Sequence, residues 1–247
     1  MKILVCISRT PDTTTKIAFI ENNTKFETDG VQWIINPYDE WYALVRAIEI
    51  KENDPGTVIH LVHVGLPESE PIIRKALALG GDEAFRIDTA ATDPFNIAFQ
   101  IASLAKDQGY DMMLTGKETI DHNNGSMGGM IAAIMDINYV GLATKLELEN
   151  QLAVVTKEVD GGEEILESPF PVVISCQKGM AEPRIPNMRG IMAARTKPLT
   201  ILASKDAAVF TETVSFSFPP KKAGITMIPA DRPELLVKLL REEAKAI

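Results

Sequence analysis

The stretch Gly116-Lys117-Glu118-Thr119-Ile120-Asp121-His122-Asn123-Asn124-Gly125-Ser126-Met127-Gly128 places glycines, hydroxyls and amides between two apolar runs, Tyr110 to Leu114 before it and Met130 to Met135 after it. A strand that feeds a glycine-rich turn and then opens a helix presents backbone N–H groups at a positive helix end, which is chemistry suited to a phosphate. The spacing is neither a Walker A loop nor G-x-G-x-x-G, so on its own it fits a nucleotide phosphate and a plain polar loop equally. His122 reads first as a solvent-facing loop residue and second as a phosphate contact. No reaction centre accompanies the loop: there is no G-x-S-x-G elbow, no Cys/His constellation and no isolated carboxylate pair, so no catalytic residue is assigned. His60 and His63 fall inside a strand-like run as core or edge residues, with no carboxylate-rich spacing nearby, and no metal site is assigned.

The elements that must position this loop alternate. Lys2 to Ile7 reads as a buried first strand, followed by an irregular excursion from Arg9 to Phe26. Asn36-Pro37 opens a helix as cap and first residue, with Asp39 and Glu40 in its positive first turn and Trp41, Leu44, Val45 and Ile48 on its apolar face. Thr57 to Val64 is a second buried strand. A helix from Glu70-Pro71 turns Ile72, Ile73, Ala76 and Leu77 inward and stops at Gly80-Gly81. Ala84 to Ile87 is a short strand, and Asp93-Pro94 starts a third helix with Phe95, Ile97, Ala98, Ile101 and Leu104 inward. The pattern predicts an α/β fold in three layers, a doubly wound, mostly parallel sheet with helices on both faces.

Residues 155–197 carry a second group of signals. Alternating runs flank Asp160-Gly161-Gly162, a hairpin turn because glycine tolerates positive φ. Pro171 to Cys176 is continuously apolar and predicts a buried strand; with the hairpin it extends the sheet. Residues from about 177 to 197 form a long exposed loop that presents Met188, a side chain that either fills a pocket on a partner or folds back on its own domain. After Lys197 the pattern dissolves into an arm that includes Pro219-Pro220-Lys221-Lys222, ending in a helix capped by Asp231 with a Leu235, Leu236, Leu239 and Leu240 stripe. The division is thus 1–200 for the α/β domain and 201–247 for the arm.

Val155, Lys157, Asp160, Gly161, Gly162, Glu164, Leu166 and Pro171 to Ser175 together resemble the signature of the electron-transfer flavoprotein β subunit, and Glu182-Pro183-Arg184 with Pro186 to Met192 resembles that family's recognition loop. The similarity extends over roughly residues 1 to 200. It implies an adenine nucleotide alpha hydrolase-like fold and a heterodimer in which an α subunit holds most of the FAD and receives the C-terminal arm. It also implies a structural AMP in this chain, contacted by Cys6, by Asn36, Pro37, Tyr38 and Asp39, by Val64, and by the loop from Gly116 to Met127. His122-Asn123-Asn124 depart from the more acidic residues expected there. Acyl-CoA and related dehydrogenases of fatty acid β-oxidation would donate electrons, and a membrane quinone oxidoreductase would accept them. The resemblance makes Met188, in place of the usual leucine, the docking anchor, oriented by Arg184, Arg189 and Arg195, and makes Glu158 a restraint on the mobile flavin domain through an arginine of the α subunit.

Composition narrows the alternatives. A net charge of −9 without a sustained Lys/Arg block disfavours a nucleic-acid surface. Cys6 and Cys176 each lie in an apolar run and read as reduced core thiols in a cytosol-like compartment, hence a cytoplasmic expectation. The first strand is too short for a signal-peptide core, and no window approaches a membrane span. Two further readings remain: an electron-bifurcating relative with FAD in place of AMP and NADH as donor, and a stand-alone nucleotide-binding regulatory protein, which gel filtration without an α subunit would reveal.

Overall fold

The computed structural model describes residues 1–90, 92–221 and 224–247. Lys222 and Ala223 of the expected arm lie outside the described residues. β1 (Lys2–Cys6) is followed by the short strands β2 (Arg9–Pro11), β3 (Phe19–Ile20), β4 (Lys25–Phe26) and β5 (Trp33–Ile35). The excursion expected to be irregular therefore contains two small ribbons, β2 with β5 and β3 with β4. Next come α1 (Asp39–Asn53), β6 (Val58–Val64), α2 (Glu70–Leu79), β7 (Glu83–Asp88), α3 (Pro94–Ala105), β8 (Met112–Gly116) and α4 (Met127–Met135). The chain continues through β9 (Asn138–Glu149), β10 (Leu152–Val159), β11 (Gly162–Pro169), β12 (Val172–Cys176), α5 (Met188–Ala194), β13 (Leu199–Ala203) and α6 (Pro233–Glu242).

One nine-stranded sheet runs β11-β10-β9-β12-β8-β1-β6-β7-β13. From β9 to β13 the neighbours are parallel, and β10 and β11 add an antiparallel hairpin beside β9. The β-branched β12, apolar but for Ser175, is buried at every residue because it is inserted between β8 and β9. The pleat sorts β1 into two cores. Ile3 and Val5 pack with Leu44, Ile48, Ile73 and Leu77 of α1 and α2, and Leu4 and Cys6 pack with Ala98, Ile101 and Ile131 of α3 and α4. Each fully buried aliphatic side chain stabilises this arrangement by about 1.5–3 kcal/mol, so a charge at Leu4 or Val5 would separate the layers.

Several boundaries differ from the sequence expectation for identifiable reasons. Helix α1 starts at Asp39 behind Tyr38, with no side-chain cap, because the Asn36 side chain is drawn away to the loop after β8. The expected cap Asp93 does accept the Asn96 N–H, at 2.8 Å, with Pro94 opening α3. β9 was not foreseen. β13 was not foreseen either: it pairs in parallel with β7, so the sheet continues to Ala203, past the expected division at residue 200. Beyond it the chain lies along α3. The Lys205 N–H donates to Gln100 Oε1 and Gln100 Nε2 returns a bond to the Lys205 carbonyl, both at 2.8 Å. The N–H groups of Phe210 and Thr211 and the Thr211 hydroxyl all donate to Asp93 Oδ2, at 3.1, 2.8 and 2.7 Å. In α6 the cap position is Arg232 rather than Asp231, and no residue of the helix is buried.

Candidate functional site

The order of strands creates a site before any side chain is considered. From β1 the chain builds outward through β6 and β7, then α3 carries it across to β8 on the other side of β1. Helices α1 and α2 cover one face and α3 and α4 the other, so the strand ends of β1 and β8 border a gap where the winding reverses. A cavity of about 230 Å³ occupies it.

Its walls come from every element that ends or begins there. Cys6 ends β1 and Ile7 to Arg9 follow it, His63 and Val64 end β6, and Thr115 and Gly116 end β8. Pro94, Ile97 and Ile101 of α3 and Met127 of α4 supply an apolar side, fit for a flat heteroaromatic ring. The Thr115 hydroxyl is buried without a hydrogen-bond partner among the described residues, which leaves it available to a ligand. The first N–H groups of α4 have no intrahelical acceptor by geometry and carry the positive end of the helix dipole. Close approach of α1 to the end of β8 depends on Gly116: a Cβ there would stand 2.8 Å from Glu40 Cγ and 3.0 Å from the Glu40 backbone nitrogen.

Of the residues singled out in the sequence, Cys6, Val64, Gly116, Lys117, Glu118, Thr119, Asp121, His122, Asn124 and Met127 line the cavity. Asn36 and Asp39 instead hold the loop from behind. Asn36 Nδ2 donates to the Glu118 carbonyl at 2.8 Å, its Oδ1 accepts the Ile120 N–H at 3.2 Å, and Asp39 Oδ2 accepts the Glu118 N–H at 3.3 Å. Pro37, Tyr38, Ile120, Asn123, Gly125 and Ser126 do not line it; Tyr38 is exposed, and Asn123 and Gly125 give the loop its positive-φ bends. His122 is exposed at the mouth, 3.9 Å from Asp121.

Ser8, Arg9, Glu40, His63 and Thr115 line the cavity but were not foreseen as site residues. The only available signal was their position at strand ends and in the first turn of a helix. Glu40 is the most perturbed group of the set. Burial pushes its carboxyl up to about 8, Asp121 and Asp39 add to the rise, and hydrogen bonds from the Ser8 N–H at 2.5 Å and Ser8 hydroxyl at 2.7 Å oppose it. Burial also drives the Cys6 thiol far above its ordinary range, with Glu40 contributing, so the sulfur is not a ready nucleophile. His63 is held neutral by burial, its Nδ1 2.9 Å from the Ile7 carbonyl oxygen.

The second predicted region departs further from expectation. Residues 188–194 form a helix rather than a loop, because Asn187 caps it by accepting the Gly190 N–H at 2.8 Å. Met188 stands on its first turn, 73% exposed. Arg184 is already engaged: its Nη1 and Nη2 donate to the two oxygens of Glu52 at 2.6 and 3.0 Å, and its carbonyl accepts the Trp41 indole N–H at 3.1 Å. It therefore fastens the segment to α1, and the outward cations are Arg189 and Arg195. Glu158 is exposed on β10, opposite Glu163 of β11.

Comparison with known proteins agrees with this architecture. The electron transfer flavoprotein domain family matches residues 23–207. An electron transfer flavoprotein subunit beta from Bacillus subtilis is 38% identical over 100% of both chains, and one from Syntrophomonas wolfei is 36% identical over 99% of this chain and 96% of its own. A subunit named CarD of a caffeyl-CoA reductase-Etf complex, from Acetobacterium woodii, is 31% identical over 92% of each chain. A doubly wound sheet, a switch-point crevice and end-to-end similarity of this extent together show that the chain belongs to the β subunits of the electron-transfer flavoprotein family.

Proposed function

We propose that this chain binds a structural AMP in the switch-point crevice and pairs with an α subunit that holds FAD. The heterodimer would accept electrons from acyl-CoA and related dehydrogenases and deliver them to a membrane quinone oxidoreductase. The observation that carries the nucleotide reading is the crevice itself: an apolar wall, an unpartnered Thr115 hydroxyl and the N-terminus of α4 converge on one space. An inert Cys6 and a neutral His63 favour a ligand that is held and not consumed. FAD supplies the redox chemistry; this chain's residues bind, orient and dock.

Exposed Met188 supports docking by the segment 181–194, and exposed Glu158 is free to meet an arginine of the α subunit. Likeness to a subunit of a caffeyl-CoA reductase-Etf complex supports a second reading, with FAD in the crevice and NADH as donor. The two separate on one experiment: co-purify the chain with its α subunit, denature, and quantify the released nucleotides. One AMP and one FAD per heterodimer is the expected result. Two FAD and no AMP would replace it with the second reading, and one FAD with no second nucleotide would remove the crevice's role.

A further inference from the structure

A second cavity, of about 710 Å³, lies between α2, the Ile185-Pro186 turn and α5. Its lining is apolar at Ala78, Ile185 and Ile191 and basic at Arg74, Lys75 and Arg195. The walls are built rigidly. Gly190 brings α5 directly onto the backbone of α2, since a Cβ there would stand 2.3 Å from the Ala78 carbonyl oxygen. Arg74 Nη1 ties the two helices further by donating to the carbonyls of Ala194 and Lys197 at 2.8 and 2.6 Å.

Charge at this groove runs against the rest of the molecule. The chain carries a net −9. Arg184 nearby is paired with Glu49 and Glu52, yet among the described residues no carboxylate pairs with Arg74, Lys75 or Arg195. Lys75 instead rests 5.0 Å from the centre of the Trp41 ring. Ile185 is 89% exposed and Ile191 41% exposed at the same place. An apolar floor under a rim of unpaired cations is complementary to a segment with the reverse design.

We propose that the groove between α2 and α5 receives an acidic, apolar-faced segment of the dehydrogenase that reduces the heterodimer, as a second attachment point beside Met188. The inference rests on the dehydrogenase-docking reading above. Helix α5 is shared: its first residue, Met188, projects outward, and Ile191, Ala194 and Arg195 form one side of the groove. Apolar contact with the floor supplies affinity, and the rim cations select carboxylates and speed encounter. Because the groove exists before docking, little ordering opposes binding.

The test uses the intact holo-heterodimer and an acyl-CoA dehydrogenase that reduces it. KM for the heterodimer would be measured against NaCl concentration for wild type and Lys75→Glu, with Lys106→Glu as a control making the same change in net charge just beyond α3. Lys75→Glu is expected to raise KM about tenfold at low ionic strength and to flatten its salt dependence, with kcat and FAD content as in wild type. If Lys75→Glu tracks Lys106→Glu, the charge effect is global and the groove has no docking role. If no acyl-CoA dehydrogenase reduces even the wild type, the docking reading itself falls and takes this inference with it.

Discussion

Helices α1 and α3 both begin at the crevice, and each has a carboxyl at its start, Glu40 in the first turn of one and Asp93 at the cap of the other. The two groups are held in opposite states. Glu40 is buried with Ser8 as its donor and with Asp121 and Asp39 close by, so desolvation dominates and its acidity falls to about 8. Asp93 shows little surface to solvent but has shallower surroundings, so desolvation weighs less on it, and the Thr211 hydroxyl with the N–H groups of Asn96, Thr211 and Phe210 holds it down to about 2. Depth of burial and the number of donors therefore set protonation together. The crevice side of α1 is a place of stored cost, whereas the start of α3 is a fastening for the arm.

The largest expected effect comes from crowding the first helix. Gly116→Val would drive a side chain into Glu40, destabilising by about 1–3 kcal/mol or more and lowering Tm by roughly 3–10 °C. Calorimetry together with nucleotide content checks it; wild-type values for both would end the claim that α1 must touch the end of β8.

A pH titration of stability sharpens the contrast. In the unfolded chain a glutamate gives up its proton near 4.3 (roughly). In the folded chain Glu40 keeps it until about 8. Between those values the folded state binds more protons, so Glu40 makes stability fall as pH rises, by on the order of a few kcal/mol in total. Glu40→Gln should flatten that decline in denaturant melts from pH 5 to 8.5. An unchanged slope would mean that Glu40 is not the carboxyl responsible.

Asp93 has the reverse sign. Its folded value is depressed, so its contribution is complete above the ordinary aspartate value near 3.9 (roughly) and is lost as pH falls toward about 2. Asp93→Asn keeps a competent helix cap but weakens the clasp on Phe210 and Thr211. Hydrogen exchange at those two amides should accelerate severalfold while α3 stays protected. Equal acceleration in α3 would show that the two functions of Asp93 cannot be separated.

Met188→Ala should have the smallest effect on stability, within about 0.5 kcal/mol, because the side chain is exposed. Its KM for a dehydrogenase should nevertheless rise, by up to the equivalent of about 1–3 kcal/mol for one buried apolar contact. A loss of melting temperature without a change in KM would place Met188 among the structural residues.

Most of the secondary structure was legible because its signals are local. Asp93-Pro94, Asp160-Gly161-Gly162 and the apolar runs of β1, β6 and β12 each act within a few residues, and their alternation dictates a parallel, doubly wound sheet. β9 escaped notice because Gly141 and Leu142, the latter with φ of 60°, interrupt its alternation, and its Leu-Ala-Thr-Lys-Leu-Glu run has helical composition as readily as strand. β13 escaped because an exposed edge strand needs only backbone pairing, here with β7 from residues far earlier in the chain.

By itself, then, the amino-acid order determined the layers, the hairpin and the glycine-rich loop after β8, since these depend on periodicity and on residues close in sequence, and its motifs carried the family resemblance. Tertiary structure decided what occupies the space between them. Glu40 meets Ser8 across 32 residues, Asn36 reaches the Glu118 carbonyl across 82, and Thr211 reaches Asp93 across 118. Such contacts arise only when strand order brings chain ends together, and no local propensity encodes which carboxyl will then find enough donors.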